Sequence, residues 1–360
     1  MSDASKTLRT AADLAAAGLV SAKDAAGLAE VAARYAVAVT PAMTELIRRA
    51  DPDDPIARQF LPDSAELRTD AHELADPIGD DAHSPVPGIV HRYRDRVLLK
   101  LVHVCAVYCR FCFRRTMVGP GKERGLSRAQ SAAALSYVRE HAEIWEVILT
   151  GGDPLVLSAA RLRAVLEELG AIDHVKVVRI HTRMPVADPA CITPSLVRAL
   201  GAAGKATYVV LHANHPRELS AAAREACGRI VDAGLPMLSQ SVLLRGVNDD
   251  AATLEALMRA FVESRIKPYY LHQGDLAPGT AHLRTAVVEG QALLRELQAN
   301  ASGLCQPAYV LDIPGGHGKV PIGPTYIRRD GSRRYAVTDQ RGGTHRYEDR
   351  AAPQRPKRTR

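Results

Sequence analysis

Cys105, Cys109 and Cys112 stand within eight residues, spaced C-x3-C-x2-C. Three thiolates on so short a loop can converge on one metal centre, and soft thiolates select iron–sulfur clusters or zinc. A cubane [4Fe–4S] cluster held by three cysteines keeps one iron open. An open iron can chelate a small molecule, which a closed four-cysteine site cannot. Tyr108, directly before the second cysteine, fits an aromatic wall for that molecule. The competing reading is a zinc knuckle with His103 as fourth ligand. Zinc ligands usually come as two paired doublets, and this loop has no such pairing.

A second block with chemistry in it runs from Leu311 to Pro321 and contains Asp312-Ile-Pro314-Gly315-Gly316-His317-Gly318-Lys319. Glycines let backbone approach a ligand closely. A lysine after such a loop can form a Schiff base with pyridoxal phosphate (PLP), and backbone N–H groups beside it can hold the phosphate. The plainer reading is a Gly/Pro turn followed by a solvated lysine.

Both blocks need a frame. A beat repeats from Val97 onward: an apolar β-branched run, a polar or glycine-rich tip, then an Ala/Leu/Arg helix. The runs are Val97–Val104, Trp145–Thr150, Val175–His181, Thr207–His212, Pro236–Leu244 and Lys267–His272. Helical patterns lie between them at 128–142, 159–169, 194–203, 219–233 and 251–264. Strands alternating with helices predict a parallel sheet with right-handed crossovers. The fold class is therefore α/β, a partial (β/α)6 barrel. Function in such folds sits on the loops after the strand C-termini.

The unusual residues gather at those ends. The first run leads to the cysteines and the second to Gly151-Gly152-Asp153-Pro154. The third leads to His181-Thr-Arg183 and the fourth to His212-Ala-Asn214. The fifth carries Gln240 and Ser241, and the sixth leads to His272-Gln-Gly-Asp275. A chance scatter of polar residues would not choose one rim six times.

Composition bounds the remainder. Of 360 residues, 46% are hydrophobic and only 4% aromatic, so aliphatic side chains must fill the core. The net charge of +7 owes much to the C-terminal tail, where Arg350, Arg355, Lys357, Arg358 and Arg360 cluster. A solvated tail is the simplest reading of that run, and no aromatic stacking pattern supports nucleic-acid binding. Cys191, Cys227 and Cys305 stand singly and read as buried thiols rather than a disulfide framework. No leader-like or membrane-spanning run is present, which predicts a cytoplasmic protein. A reducing compartment suits an oxygen-sensitive cluster.

Residues 7–50 read as helices with an irregular apolar face of Leu14, Leu19, Leu28, Val31 and Tyr35. From Asp51 to Gly88 six prolines and eight aspartates predict a segment that wraps rather than folds alone. The expected organisation is a helical and wrapping region at 1–90, the partial barrel at 91–290, a lysine-bearing segment at 291–335 and a basic tail at 336–360.

From about Asp51 to Pro324 the chain resembles the lysine 2,3-aminomutase family of PLP-dependent radical S-adenosylmethionine (SAM) enzymes. The motifs that carry this are Asp54-Pro-Ile-Ala-Arg-Gln-Phe60, His83-Ser-Pro-Val-Pro-Gly88, Cys105–Cys112 with Phe113-Arg114-Arg115, Gly151-Gly-Asp-Pro154, Gln240–Asp249, Pro268-Tyr-Tyr270 and Asp312–Lys319. The resemblance implies that Cys105, Cys109 and Cys112 hold a [4Fe–4S] cluster. It implies that Gly151, Gly152 and Asp153 contact SAM, with His212 and Gln240 nearby. Lys319 would carry PLP, and Arg92, Tyr93 and Arg96 would lie near its phosphate. Arg114 would clamp the substrate α-carboxylate, and Asp275 and Asp312 would grip the distal ammonium of lysine.

The implied reaction converts L-lysine to β-lysine by a 1,2-amino migration that a 5′-deoxyadenosyl radical starts. It implies an isomerase with an electron donor such as a flavodoxin or ferredoxin. The alternatives are a lysine or β-lysine used in elongation factor P modification, or another amino acid such as glutamate. The elongation-factor relative lacks the Asp-x-Pro-Gly-Gly pattern seen at Asp312–Gly316, and the glutamate-specific relatives lack the aspartate pair. Longer members hold zinc between a cysteine after the Asn-Asp pair and a C-terminal cysteine triplet. Here Asp250 follows Asn248-Asp249 and the last cysteine is Cys305, so no zinc is expected. A homo-oligomer stays open. Two readings from other classes are a zinc-binding interaction module and a nucleic-acid binder that uses the basic tail.

Overall fold

The computed structural model describes residues 6–119 and 123–349. The basic run from Arg350 to Arg360 lies outside the described residues. Nine strands form one sheet in sequence order: β1 (Ile89–Tyr93), β2 (Arg96–Val102), β3 (Glu146–Gly151), β4 (Val177–Thr182), β5 (Ala206–His212), β6 (Met237–Val242), β7 (Ile266–His272), β8 (Ala308–Ile313) and β9 (Gly318–Pro321). Neighbours from β2 to β8 are parallel, while β1 and β9 are antiparallel edges. The six expected runs are β2 to β7. The three additional strands widen the sheet on both sides.

Two local signals build this arrangement. The parallel strands are aliphatic and buried along most of their length, as a sheet covered on both faces requires. Of the six crossover helices, five begin on an oxygen-bearing cap that accepts a backbone N–H, namely Ser127, Ser158, Thr193, Ser220 and Asp250, while the sixth, Val287–Asn300, begins at Ala286 without one. Their apolar faces, such as Leu162, Leu166 and Leu169 or Leu254, Leu257 and Phe261, are wholly buried against the sheet.

The Asp-rich segment at 51–88 contacts the barrel through its carboxylates. Asp54 pairs with Arg217, Glu66 with Arg110 and Arg115, Glu73 with Arg284, and Asp80 with Arg114. All four acids are wholly or nearly buried on the side chain. These ion pairs dock the segment together with the buried Ile56, Phe60 and Ile78.

One expectation needs correction. Residues 336–360 were expected as a tail from 336 onward. Instead β10 (Ile327–Arg329), β11 (Arg334–Thr338) and β12 (Thr344–Glu348) form a separate antiparallel sheet. Tyr335 and Val337 alternate with Arg334 and Ala336 along β11, a period-2 signal that the arginine content hides. Among the described residues no helix is long and apolar enough to cross a membrane.

β1 and β9 do not pair, so the sheet leaves a seam. Two side-chain contacts bridge it: Arg92 to Asp312 at 3.2 Å, and the Tyr93 hydroxyl to the Lys319 backbone N–H at 2.8 Å.

Candidate active site

The barrel encloses a cavity of about 670 Å³. It lies inside the curve of the sheet and reaches from the loops after the strand C-termini down to Trp145 and Val177 near the strand starts. The expected site residues Cys105, Cys109, Cys112, Gly151, Gly152 and Asp153 line it. So do His212, Gln240, Arg92, Tyr93 and Arg96, as well as Arg114, Asp275, Asp312 and Lys319.

The cysteine loop follows β2 and is fixed by buried charge. Arg110 is wholly buried; its guanidinium donates to Glu66 at 2.9 Å and to the Ala36 carbonyl at 2.8 Å. Arg115 donates to the same Glu66 and to the Gly279 carbonyl at 3.1 Å. The three thiols thus sit on a braced turn. Burial pushes all three up, Cys109 to about 11, although Arg183 lies 3.4 Å from its sulfur and works the other way. Without a metal these are inert thiols, and a cationic centre is what would ionise them. Among the described residues the group whose three ligand atoms lie within 4.8 Å of one another is His91, His141 and Glu143.

Tyr108 does not face the cavity. It packs with Ala38 and Val118 on the far side of the loop. The aromatic wall is Phe111, which lines the cavity and lies 5.6 Å from the His212 ring between centroids. Both aromatics neighbour a cysteine, and only the path of the turn decides which one points inward.

At the end of β3, Asp153 accepts from the Thr182 hydroxyl at 2.8 Å and from the Arg183 N–H at 2.7 Å. Burial pushes its pKa up, and these donors counter that. Its carboxylate therefore ties the β3 loop to the end of β4. The N–H groups of Gly152 and Asp153 donate to the Val102 and Val104 carbonyls. A side chain on Gly152 would meet the Val104 carbonyl at 2.2 Å, so glycine is required there for close strand packing. The expectation of direct SAM contact thus falls on what this loop has left, its carbonyls.

His212 and His272 end β5 and β7, and His181 is one residue before the end of β4. Burial lowers all three, His272 to about 3, so each imidazole is neutral. The Nε2 atoms of His181 and His212 are buried without a protein partner. His181 and His272 were read only as rim residues, and the structure places both in the cavity lining.

Lys319, on β9, points its amine at Asp312 on β8, with Nζ 2.5 Å from Oδ2. Arg92 approaches the same carboxylate and also donates to the Ile78 carbonyl at 2.5 Å. Arg92 is thus committed to Asp312, leaving Arg96, which stacks 3.9 Å from the Tyr93 ring centroid, as the freer guanidinium for a phosphate. Asp275 lies in the loop after β7. Burial and the nearby Asp312 charge raise it to about 7. Arg114 is likewise occupied: it donates to Asp80 at 2.8 and 3.0 Å. Asp80 lies in the wrapping segment and was not anticipated.

The glycine block serves a different purpose from the one expected. A side chain on Gly79 would meet the Gly316 nitrogen at 2.4 Å, and one on Gly316, at φ +85°, would meet His83 at 2.6 Å. The turn at Gly315 and Gly316 admits the wrapping segment. The nearest backbone N–H, that of Lys319, is taken by Tyr93.

The donors fit the groups the sequence implies. Three thiols on one braced turn suit a cluster, and two orphaned imidazole nitrogens await a polar partner. One amine faces into the cavity, whose volume falls in the range of a cofactor site.

Residues 99–257 match the Radical SAM superfamily. The chain is 40% identical to "L-lysine 2,3-aminomutase" of Clostridium subterminale over 84% of this chain and 72% of that one. It is 40% identical to the protein of the same name from Acetoanaerobium sticklandii, over 81% and 70%. To "Glutamate 2,3-aminomutase" of Clostridioides difficile it is 34% identical, over 90% and 76%.

Proposed function

Because the chain belongs to the lysine 2,3-aminomutase family of radical SAM isomerases, we propose that it moves the amino group of free L-lysine from C2 to C3. Its cofactors are a [4Fe–4S] cluster, SAM and PLP. When bound, the cluster with SAM supplies a carbon radical that abstracts hydrogen, and PLP supplies the conjugated system across which nitrogen migrates.

The chain's own residues bind and orient. Cys105, Cys109 and Cys112 hold the cluster, with the Arg183 charge beside Cys109. Gly151, Gly152, His212 and Gln240 line the SAM end, where Phe111 gives a flat apolar wall. Lys319 carries PLP, with Tyr93 and Arg96 at the phosphate. Arg114 takes the α-carboxylate after exchanging it for Asp80. Asp275 and Asp312 take the distal ammonium.

The observation that favours lysine is the state of Asp275, raised to about 7 by burial and by Asp312. Asp312 already holds Lys319 and Arg92, whereas Asp275 has no cation paired with it among the described residues and stays beside the Asp312 charge. Lysine brings that cation; glutamate brings a further anion. An oxygen-sensitive cluster favours the cytoplasm, and a flavodoxin or ferredoxin as electron donor.

The test is anaerobic reconstitution with iron, sulfide, PLP and SAM, followed by assay on L-lysine, L-glutamate and elongation factor P. β-Lysine from free lysine supports the proposal. Product from glutamate or from the elongation factor alone overturns it.

A further inference from the structure

A second set of ligand atoms lies on the outer side of the barrel, away from the cysteines. His91 stands on β1, His141 closes the helix Arg128–Glu140, and Glu143 follows two residues later. One nitrogen from each imidazole and one carboxylate oxygen lie within 4.8 Å of one another. We propose that His91, His141 and Glu143 form a binding site for one borderline divalent cation, Zn2+ being the best match, which clamps β1 to the connection entering β3.

The donor set supports that ion class. Two imidazoles and one carboxylate suit zinc and its neighbours, whereas magnesium and calcium prefer all-oxygen sites. Ligand atoms about 2.0–2.2 Å from a tetrahedral ion lie roughly 3.3–3.6 Å apart, so the observed spacing closes with small side-chain movements.

The rings are also held in advance. The Tyr137 hydroxyl is 2.8 Å from Nδ1 of His91, the kind of outer partner that orients a metal-bound imidazole. The Tyr137 ring lies on that of His141, 4.0 Å between centroids and 30° from parallel, and His91 meets His141 edge-on at 5.7 Å. Nδ1 of His141 is 2.8 Å from Glu143, an attraction an ion would replace with two bonds. The side chains of His141 and Glu143 are 36% and 44% exposed, so solvent ions reach them.

The location gives the ion a task. β1 is an edge strand whose register with β2 is interrupted between Val90 and Tyr93. His91 sits in that interruption, and the next two residues, Arg92 and Tyr93, line the cavity. An ion at His91 would stiffen this interrupted edge of the site. None of these three residues belongs to the cysteine-lined zinc site of the longer family members, for which no zinc was expected.

Zinc titration by calorimetry into cluster-reconstituted protein tests this, since the loop thiolates are then occupied. Metal content after dialysis gives the stoichiometry. The expected result is one equivalent of zinc, weakened at least tenfold by His91→Ala or His141→Ala and less by Glu143→Gln. Zinc should also raise the melting temperature of the natural protein but not of His141→Ala. Should His91→Ala fail to fold, the exposed His141 and Glu143 variants carry the test. No uptake up to about 100 µM zinc, or uptake unchanged in His141→Ala, overturns the proposal.

Discussion

The hydroxyl of Tyr93 accepts the backbone N–H of Lys319 at 2.8 Å, across the seam where β1 and β9 fail to pair. The bond sets the start of β9 against β1, and with it the root of the lysine side chain. Tyr93→Phe removes the acceptor and leaves a half-buried N–H without a partner, at a cost of about 1–3 kcal/mol. PLP content, read from cofactor absorbance, should fall while iron content stays level. Natural PLP loading and turnover in the variant would mean that the strand holds itself.

Lys319 and the cysteines should separate cleanly. Lys319→Ala is expected to lose the PLP absorbance near the visible edge and keep its iron. Cys109→Ala is expected to lose SAM cleavage and iron, because two thiolates do not secure a cubane, and to keep PLP. Full SAM cleavage in Cys109→Ala would remove that cysteine from the cluster.

Asp275 carries a pH signature. Its carboxyl in the folded protein is raised to about 7 from an ordinary 3.8. An acid with a raised folded pKa is destabilising once ionised, so stability is lost as pH rises from about 4 to about 7 and is level above that. Asp275→Asn should therefore stabilise substrate-free protein by roughly 1–3 kcal/mol at pH 8 and by much less at pH 5. Lysine binding runs the other way: below pH 7 the neutral carboxyl no longer attracts the ammonium, and KM should rise. Thermal melts at the two pH values, with KM profiles, check both signs; equal melts at both pH values would contradict the assignment.

Glu66 neutralises two buried arginines, Arg110 and Arg115. Glu66→Gln strands both cations, which should cost about 3–5 kcal/mol. Denaturant melts give the loss directly. Because Arg110 braces the cysteine loop, cluster loading should fall too, whereas Glu225→Gln, in an exposed pair with Arg229, should leave both readouts unchanged.

Much of the fold was legible because parallel strands and their helices announce themselves by period and by caps. Trp145–Thr150 and Lys267–His272 differ from the observed strands by a residue or so. The short edges β1 and β9 and the arginine-rich β10 to β12 lack that signal. The site was legible in residue type and less so in partnership. Asp80 reads as one more aspartate in an acidic stretch, and only the three-dimensional path brings it to Arg114. The same holds for Tyr108 and Phe111, which spacing alone cannot rank. The glycines at 315 and 316 do mark a close approach, but the sequence does not say that the approaching partner is Gly79.

That approach joins residues about 240 positions apart in one chain. During synthesis the segment around Gly79 leaves the ribosome long before the turn at Gly316 exists. The nascent protein can therefore lay down β2 to β7 in order, as each strand pairs with the one before it, and the strap can make its ion pairs with Arg110, Arg114, Arg115, Arg217 and Arg284 before its last contact, Gly79 against Gly316, becomes possible. On the proposed role of Lys319, loading of PLP must wait for the last part of translation, because that lysine and the turn at Gly316 emerge together. Premature termination before residue 315 would leave a barrel with its cysteines in place but with neither β9 nor Lys319.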